Sequence, residues 1–340
     1  MSQDHPPPPP QAAIFGLVSS VWAAQAVATF AKLGIADLLA SGPKTAAELA
    51  AATHTDAGAL HRLLRGVSSV NVLAQLPEGR FTLTPIGETL RKDVPGSTRS
   101  MIIAELAPGH WLPWGHLDES VRTGKPAAPG VLGMPVWEYY KKNAEEGAYF
   151  AEAMSGLSGM AMQAVLASYS FAGARKVVDV GGSHGAFLSA VLNHEPAAKG
   201  ILYDLPEVVE RARVELEAAG VSSRVERVGG SFFESVPKGG DVYLLKHILH
   251  DWSDAECVQI LKNVRDAMAP EGRVVVVEMP IDMEGPPSPA PLLDLNMLVM
   301  LTGKERTAAE YGALFSRAGL KLAGVTPTPS PFAVLEARRA

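Results

Sequence analysis

Apolar positions along the chain change their period, and the changes mark its parts. Ala12 to Ala31 is a run of twenty residues without a charge, long enough to cross a bilayer. Ser19, Ser20, Gln25 and Thr29 interrupt it and no basic segment precedes it, so it reads as a helix buried at a subunit interface rather than a membrane span. Before it lies a Pro-rich tail, Met1 to Pro10, expected to be extended and poorly ordered. Leu33 to Leu39 reads as a second short helix. Thr45 and Glu48 have the spacing of a capping box, which starts a third. Leu60, Leu63, Leu64 and Val67 recur at helical spacing, and Val72–Gln75 and Arg80–Leu83 flank a Pro77-Glu78-Gly79 turn as a hairpin would. Helix, helix and hairpin over residues 11–95 make a winged-helix pattern.

Residues 96–170 read as a helical linker that holds much of the aromatic supply. Beyond them, residues 171–340 alternate strands and helices. Lys176–Val180, Gly200–Tyr203, Arg224–Val228, Asp241–Leu245 and Arg273–Glu278 are the strands. Ala186–His194, Leu205–Ala219, Asp254–Ala267 and Ala308–Arg317 are helices, and Lys321–Thr326 with Phe332–Ala337 close the chain as a hairpin. This βαβ order predicts an α/β fold with a doubly wound, Rossmann-like parallel sheet covered on both faces.

Composition narrows the function classes. The 340 residues are 47% hydrophobic and 19% charged, as in ordinary globular proteins. A formal net charge of -6 speaks against nucleic acid as the main partner. Between Lys44 and Asp93 six Lys/Arg stand against five Asp/Glu, too few for a DNA-reading winged helix, so this region reads as a dimerisation and lid module. The single cysteine, Cys257, excludes a disulfide framework and a multi-cysteine metal site, and fits a cytoplasmic setting as a small buried helix residue. No metal is expected, and no membrane partner.

The first strand of the alternating region runs into Asp179-Val180-Gly181-Gly182-Ser183-His184-Gly185. The glycines miss the dinucleotide spacing, and no Gly-Lys-Ser/Thr follows for a phosphate loop. A carboxylate just upstream of the turn repels pyrophosphate but suits a ligand that is positively charged and phosphate-free. Asp204, closing the next strand, can accept from ribose hydroxyls. Together these favour S-adenosylmethionine over NAD.

Polar groups with catalytic chemistry follow other strand ends. Asp241–Asp254 passes from a buried strand into Lys246-His247-Ile248-Leu249-His250-Asp251-Trp252, and the Ser253/Glu256 capping box leaves His250 in the loop before the helix. A histidine there can remove a proton from a hydroxyl as its oxygen attacks a methyl group. Glu278 and Glu305, after later strands, stand as its orienters. His247 is expected to face the other way and pack.

These residues resemble the caffeic-acid-type, class I S-adenosylmethionine-dependent O-methyltransferases of plants and related bacterial enzymes that methylate phenolic natural products. The resemblance covers nearly the whole chain. It is most specific in Val178-Asp179-Val180-Gly181-Gly182, Asp204-Leu205-Pro206, His250-Asp251-Trp252-Ser253-Asp254 and Gly303-Lys304-Glu305-Arg306-Thr307. It implies a class I methyltransferase sheet in 171–340, a catalytic set of His250, Glu278 and Glu305, and cofactor contacts at Gly181, Asp204, Ser231, Phe232, Lys246 and Ser158, beside Asp179 and Gly182. It implies pocket positions at Phe150 and Met154, with Trp114, His110 and Met297 as further substrate-binding candidates. It also implies a homodimer through the N-terminal domain. One departure is Ser231, where many members carry an aspartate for the adenine amino group. Another is Leu301-Thr302, which lacks the asparagine of some plant members, so the acceptor does not transfer. Two alternatives remain at this stage: non-methylating chemistry (hydroxylation, decarboxylation or pericyclic) with the same cofactor, and a DNA-binding regulator.

Overall fold

A computed structural model of the chain describes residues 9–281 and 288–340. The Pro-rich tail lies outside the described residues as far as residue 8. The chain forms two compact units, Met1–Leu112 with Trp137–Gly156, and Pro113–Val136 with Leu157–Ala340. The segment expected as a linker, 96–170, is therefore shared out between both.

In the first unit the uncharged run forms α1 (Pro10–Lys32), followed by α2 (Ile35–Leu39), α3 (Ala46–Thr53) and α4 (Ala57–Ser69). Thr45 and Glu48 make the capping box at α3, worth about 1 kcal/mol. Strands β2 (Leu73–Gln75) and β3 (Arg80–Leu83) pair antiparallel as the expected hairpin. A two-residue strand that the sequence pattern did not show, β1 (Lys44–Thr45), adds to β3. Leu49, Leu60, Leu64, Val67 and Phe81 form one core with Phe30 and Ile35. Only the last turns of α1 join it. The rest of α1 leaves Phe15 74% and Trp22 69% exposed, an apolar face that nothing among the described residues covers.

The second unit is built on a seven-stranded sheet. Its strands are β4 (Lys176–Val180), β5 (Lys199–Asp204), β6 (Val225–Gly229), β7 (Val242–Lys246), β8 (Arg273–Glu278), β9 (Leu320–Pro327) and β10 (Ala333–Arg339), in the order β6-β5-β4-β7-β8-β10-β9. All neighbours from β6 to β8 are parallel, while β10 runs antiparallel to both β8 and β9. β9 and β10 thus form the expected terminal hairpin, added at the β8 edge of the parallel strands. Each face carries its own core: Ile260, Leu261, Val264, Tyr311 and Phe315 pack on one side, and Val165, Phe187, Leu188, Leu192 and Leu216 on the other. Near-continuous valines in β8 follow from burial on both faces.

One expected helix is broken. Leu205–Ala219 forms as Pro206–Arg211 and Arg213–Ala218, meeting at Ala212 with ψ -11. Arg227 donates to the carbonyls of Val209 and Glu210 at 3.0 and 3.3 Å, which draws those acceptors off the helix ladder at the break.

Strand order reverses at β4, where β5 lies on one side and β7 on the other, and open α/β sheets bind ligands outside the carboxyl ends of the strands at such a point. Val180, Asp204, Lys246 and Glu278 all end strands on that edge.

Candidate active site

β7 ends at Lys246, and the next residue, His247, takes a left-handed backbone with φ 54. Its N–H donates to the carbonyl of Val277 at 3.1 Å, so the turn starts while the chain is still tied to β8. A single 3-10 turn, Leu249–Asp251, then carries His250. Glu278 Oε1 accepts the amides of Ile248, Leu249 and His250 at 3.2, 3.0 and 3.3 Å, which satisfies donors that a sharp turn would otherwise leave without partners. The Ser253/Glu256 capping box starts the helix Asp254–Ala267, as expected.

The imidazole of His250 is held from the other side. Its Nδ1 lies 2.8 Å from Glu305 Oε1, while Glu278 Oε2 stands 4.0 Å from the same nitrogen. The two glutamates therefore divide what the sequence assigned jointly: Glu305 orients the ring, and Glu278 organises the backbone of the loop. Glu278 and Glu305 are both buried, each with an Oε2 that has no hydrogen-bond partner. Burial alone would lower the imidazole's pKa, but the charges of Glu278 and Asp251 and the hydrogen bond to Glu305 raise it to about 10. Burial in turn raises Glu278, against the pull of His250.

Three contacts that sequence reasoning left without a role fix the two loops together. Arg306 is fully buried; its guanidinium donates to the carbonyls of Leu249 and Trp252 at 2.8 Å and to Asp254 Oδ1 at 2.8 and 3.0 Å. Gly303 presses on the His250 turn so closely that a Cβ there would fall 1.8 Å from the His250 carbonyl oxygen and 2.5 Å from the Asp251 carbonyl carbon. Asp294, on the helix Ala290–Met300, accepts the amide of Glu305 at 2.9 Å. Gly303 and Arg306 belong to the Gly-Lys-Glu-Arg-Thr motif, whose spacing around Glu305 was the only signal for them.

His247 corrects one expectation. Its ring does not face away from His250 but lies 5.2 Å from it, tilted by 33°, with Phe332 at 4.8 Å on another side. The left-handed turn is the cause, because strand alternation stops where the strand does. Burial, with the charges of His250 and Lys246, holds its pKa well below the ordinary value, so this second imidazole is neutral.

The second half of the site surrounds the glycine turn. Gly181 donates to the carbonyl of Tyr203 at 2.8 Å, binding the turn to β5. Gly182 lies against Asp179: a Cβ there would stand 2.6 Å from its carboxyl carbon. Burial lifts the Asp179 carboxyl to about 7, opposed by Lys246 and assisted by Asp204, and its Oδ2 has no hydrogen-bond partner. Asp204 accepts the amides of Ser183 and Leu205 at 2.8 and 2.7 Å and keeps lone pairs in hand for hydroxyl donors. Lys246 donates to Ser158 Oγ at 2.8 Å, bringing together two expected cofactor positions that are far apart in sequence. Ser231 starts the turn after Gly230, and Phe232 meets Trp252 edge-on at 6.0 Å. A turn flanked by Asp179 and Asp204 suits a cationic ribonucleoside without phosphate.

Of the acceptor-pocket positions, Trp114 and Met297 lie in the second unit. The Trp114 indole donates to Asn296 Oδ1 at 2.9 Å, and Met297 is buried. His110, Phe150 and Met154 belong to the first unit. There His110 pairs with Glu105 at 3.0 Å, and Phe150 stacks on Tyr140 at 4.8 Å. His250, Glu278 and Glu305 also bring ligand-type atoms within 4.8 Å of one another. In that cluster Glu278 Oε1 takes three amides and Glu305 Oε1 the imidazole.

Comparison with known proteins decides the lineage. Residues 114–321 match the model of an O-methyltransferase domain and residues 15–93 that of an O-methyltransferase dimerisation domain. The chain belongs to this family. The methyltransferase is 38% identical to "Phenazine O-methyltransferase PhzM" of Lysobacter antibioticus over 95% of its own length and 94% of the relative's. It is also 38% identical to "8-amino-8-demethylriboflavin N,N-dimethyltransferase" of Streptomyces davaonensis, over 91% of its own length and 89% of the relative's. A solved structure of NcsB1, an O-methyltransferase from neocarzinostatin biosynthesis in complex with S-adenosylmethionine and 2-hydroxy-5-methyl naphthoic acid, superposes with a TM-score of 0.80. It is 34% identical, with 93% of this chain and 96% of that one covered. The enzyme is thus an S-adenosylmethionine-dependent methyltransferase, and the region read as a dimerisation module rather than a DNA-binding one matches its dimerisation domain.

Proposed function

We propose that the enzyme methylates a hydroxyl of phenolic character on an aromatic natural product, with His250 as general base. The observation that carries this reading is the 2.8 Å contact between His250 Nδ1 and the buried Glu305. A carboxylate there fixes Nδ1 as the donor, which leaves Nε2 to take the acceptor's proton and stabilises the imidazolium that results. Bound S-adenosylmethionine supplies the electrophilic methyl group. Asp179, Gly181, Gly182, Asp204, Ser231, Phe232, Lys246 and Ser158 would hold it, with Asp204 toward the ribose. Trp114 and Met297 would shape the acceptor site. Proton removal matters most for a hydroxyl, whereas an arylamine can attack through its lone pair and lose the proton later. The base therefore favours oxygen over the nitrogen chemistry named for one relative.

The test is incubation with S-adenosylmethionine and a panel of catechols, phenolic acids, polycyclic phenols and matched arylamines, following S-adenosylhomocysteine and the position of the new methyl group. Turnover on arylamines alone would overturn the hydroxyl reading. Firm cofactor binding with no methylated product from any acceptor would favour the non-methylating alternative.

The same reading makes the enzyme a homodimer, cytoplasmic, with the exposed face of α1 as its seam. Phe15→Asp places a charge in the middle of that face and is expected to shift the protein from dimer to monomer in light scattering at micromolar concentration. A variant that remains dimeric would locate the interface elsewhere.

A further inference from the structure

His250 has a carboxylate at each of its ring nitrogens. Glu305 takes Nδ1, and Asp251 Oδ1 lies 3.5 Å from Nε2, the nitrogen that has to receive the acceptor's proton. The side chains of Glu278 and Glu305 are fully buried, whereas that of Asp251 is 31% exposed.

The groups around the ring leave Asp251 little other business. From β7 comes His247, which is neutral, and from β8 comes Glu278. Glu305 comes from the Gly303–Thr307 segment, and next to it Arg306 spends its donors on Leu249, Trp252 and Asp254 rather than on the three carboxylates. Tyr311, from the helix Ala308–Arg317, is a buried phenol whose pKa is driven far up by burial and by Glu278 and Glu305, so it stays neutral. His250 is therefore the cation that Glu278, Glu305 and Asp251 share. In the neutral tautomer fixed by Glu305, the Nε2 lone pair would confront a carboxylate oxygen. With a proton on Nε2 the same contact is favourable.

We infer that Asp251 is a tuning residue for the base: in the free enzyme it occupies the Nε2 side of His250 and keeps the imidazole charged, and the acceptor hydroxyl displaces it there on binding. This rests on the reading of His250 as the base. Proton bookkeeping follows directly. Productive encounter needs one proton fewer than the resting ring plus a neutral hydroxyl. That proton leaves to solvent, whether the pair then reacts as imidazole with hydroxyl or as imidazolium with phenolate. In either case the ring ends protonated on Nε2 and one proton has gone to solvent.

The experiment follows the histidine ring signals of isotope-labelled enzyme by NMR across pH, in wild type, Asp251→Asn and Asp251→Ser, with His250→Gln assigning the resonance. Both Asp251 variants are expected to lower the His250 midpoint by about one pH unit or more. The rising limb of kcat/KM is expected to move in the same direction. An unchanged midpoint in both variants overturns the inference. So does a loss of plateau kcat with no shift, which is what a merely structural aspartate would give. Full turnover by His250→Gln would instead remove the base, and the tuning role with it.

Discussion

His250→Ala is expected to bind S-adenosylmethionine as well as wild type and to lose turnover by roughly 100-fold or more, the usual range for a general base. None of the groups proposed to hold the cofactor hydrogen-bonds to the imidazole among the described contacts: Asp204 accepts from Ser183, and Lys246 donates to Ser158. Glu278 and Glu305 cannot replace the base directly, since one is engaged by the backbone of the turn and both are buried behind it. The substitution also leaves Glu305 Oε1 without its partner in a buried site, and the carboxyl can relieve that by taking up a proton. Residual rate would come from holding the reactants together. Calorimetry with the cofactor and steady-state kinetics with any active acceptor separate the two effects. Near-normal turnover, at a pH where the acceptor is not already ionised, would sink the base assignment.

Gly303→Ala is expected to do comparable damage from a residue that touches no reactant. The added methyl carbon would lie 1.8 Å from the His250 carbonyl oxygen, and backbone cannot swing aside as a side-chain tip can. The two loops must therefore part, carrying Glu305 away from Nδ1 or His250 away from Glu278. Overpacking of this kind costs about 1–3 kcal/mol of stability. A displacement of about 1 Å at the base can cost on the order of 100-fold in rate. The signature is a large fall in kcat with modest loss of thermal stability and retained cofactor binding. Wild-type kcat in this variant would mean that the Gly303 contact does not position the base.

The features that could be read in advance are those with local causes. Helix Asp254–Ala267, helix Ala308–Arg317 and strand β8 fall within the bounds that periodicity and capping give. The Gly181–Gly185 turn, Asp204 and Glu278 could be placed at strand ends because strand length and a following glycine or helix start are written in neighbouring residues. β1 could not be seen, because two residues carry no period and owe their conformation to pairing with β3. The break at Ala212 was equally hidden, since it depends on Arg227 arriving from another strand.

For the candidate site, the sequence by itself named the groups proposed here: one histidine, two distant glutamates and a carboxylate-flanked glycine turn at the strand ends of one sheet. Their division of labour came only with the tertiary structure. Register between β7 and β8, with Lys246 opposite Val277, puts Glu278 one residue further on, beneath the amides of the turn. A left-handed residue at the end of β7 swings His247 onto His250, which no alternation rule predicts. Arg306 and Gly303 weld the base loop to the Glu305 loop across about fifty intervening residues. Which nitrogen is free to take a proton is set by distances of a few ångströms between segments far apart in the chain, and such distances exist only once the sheet has brought them together.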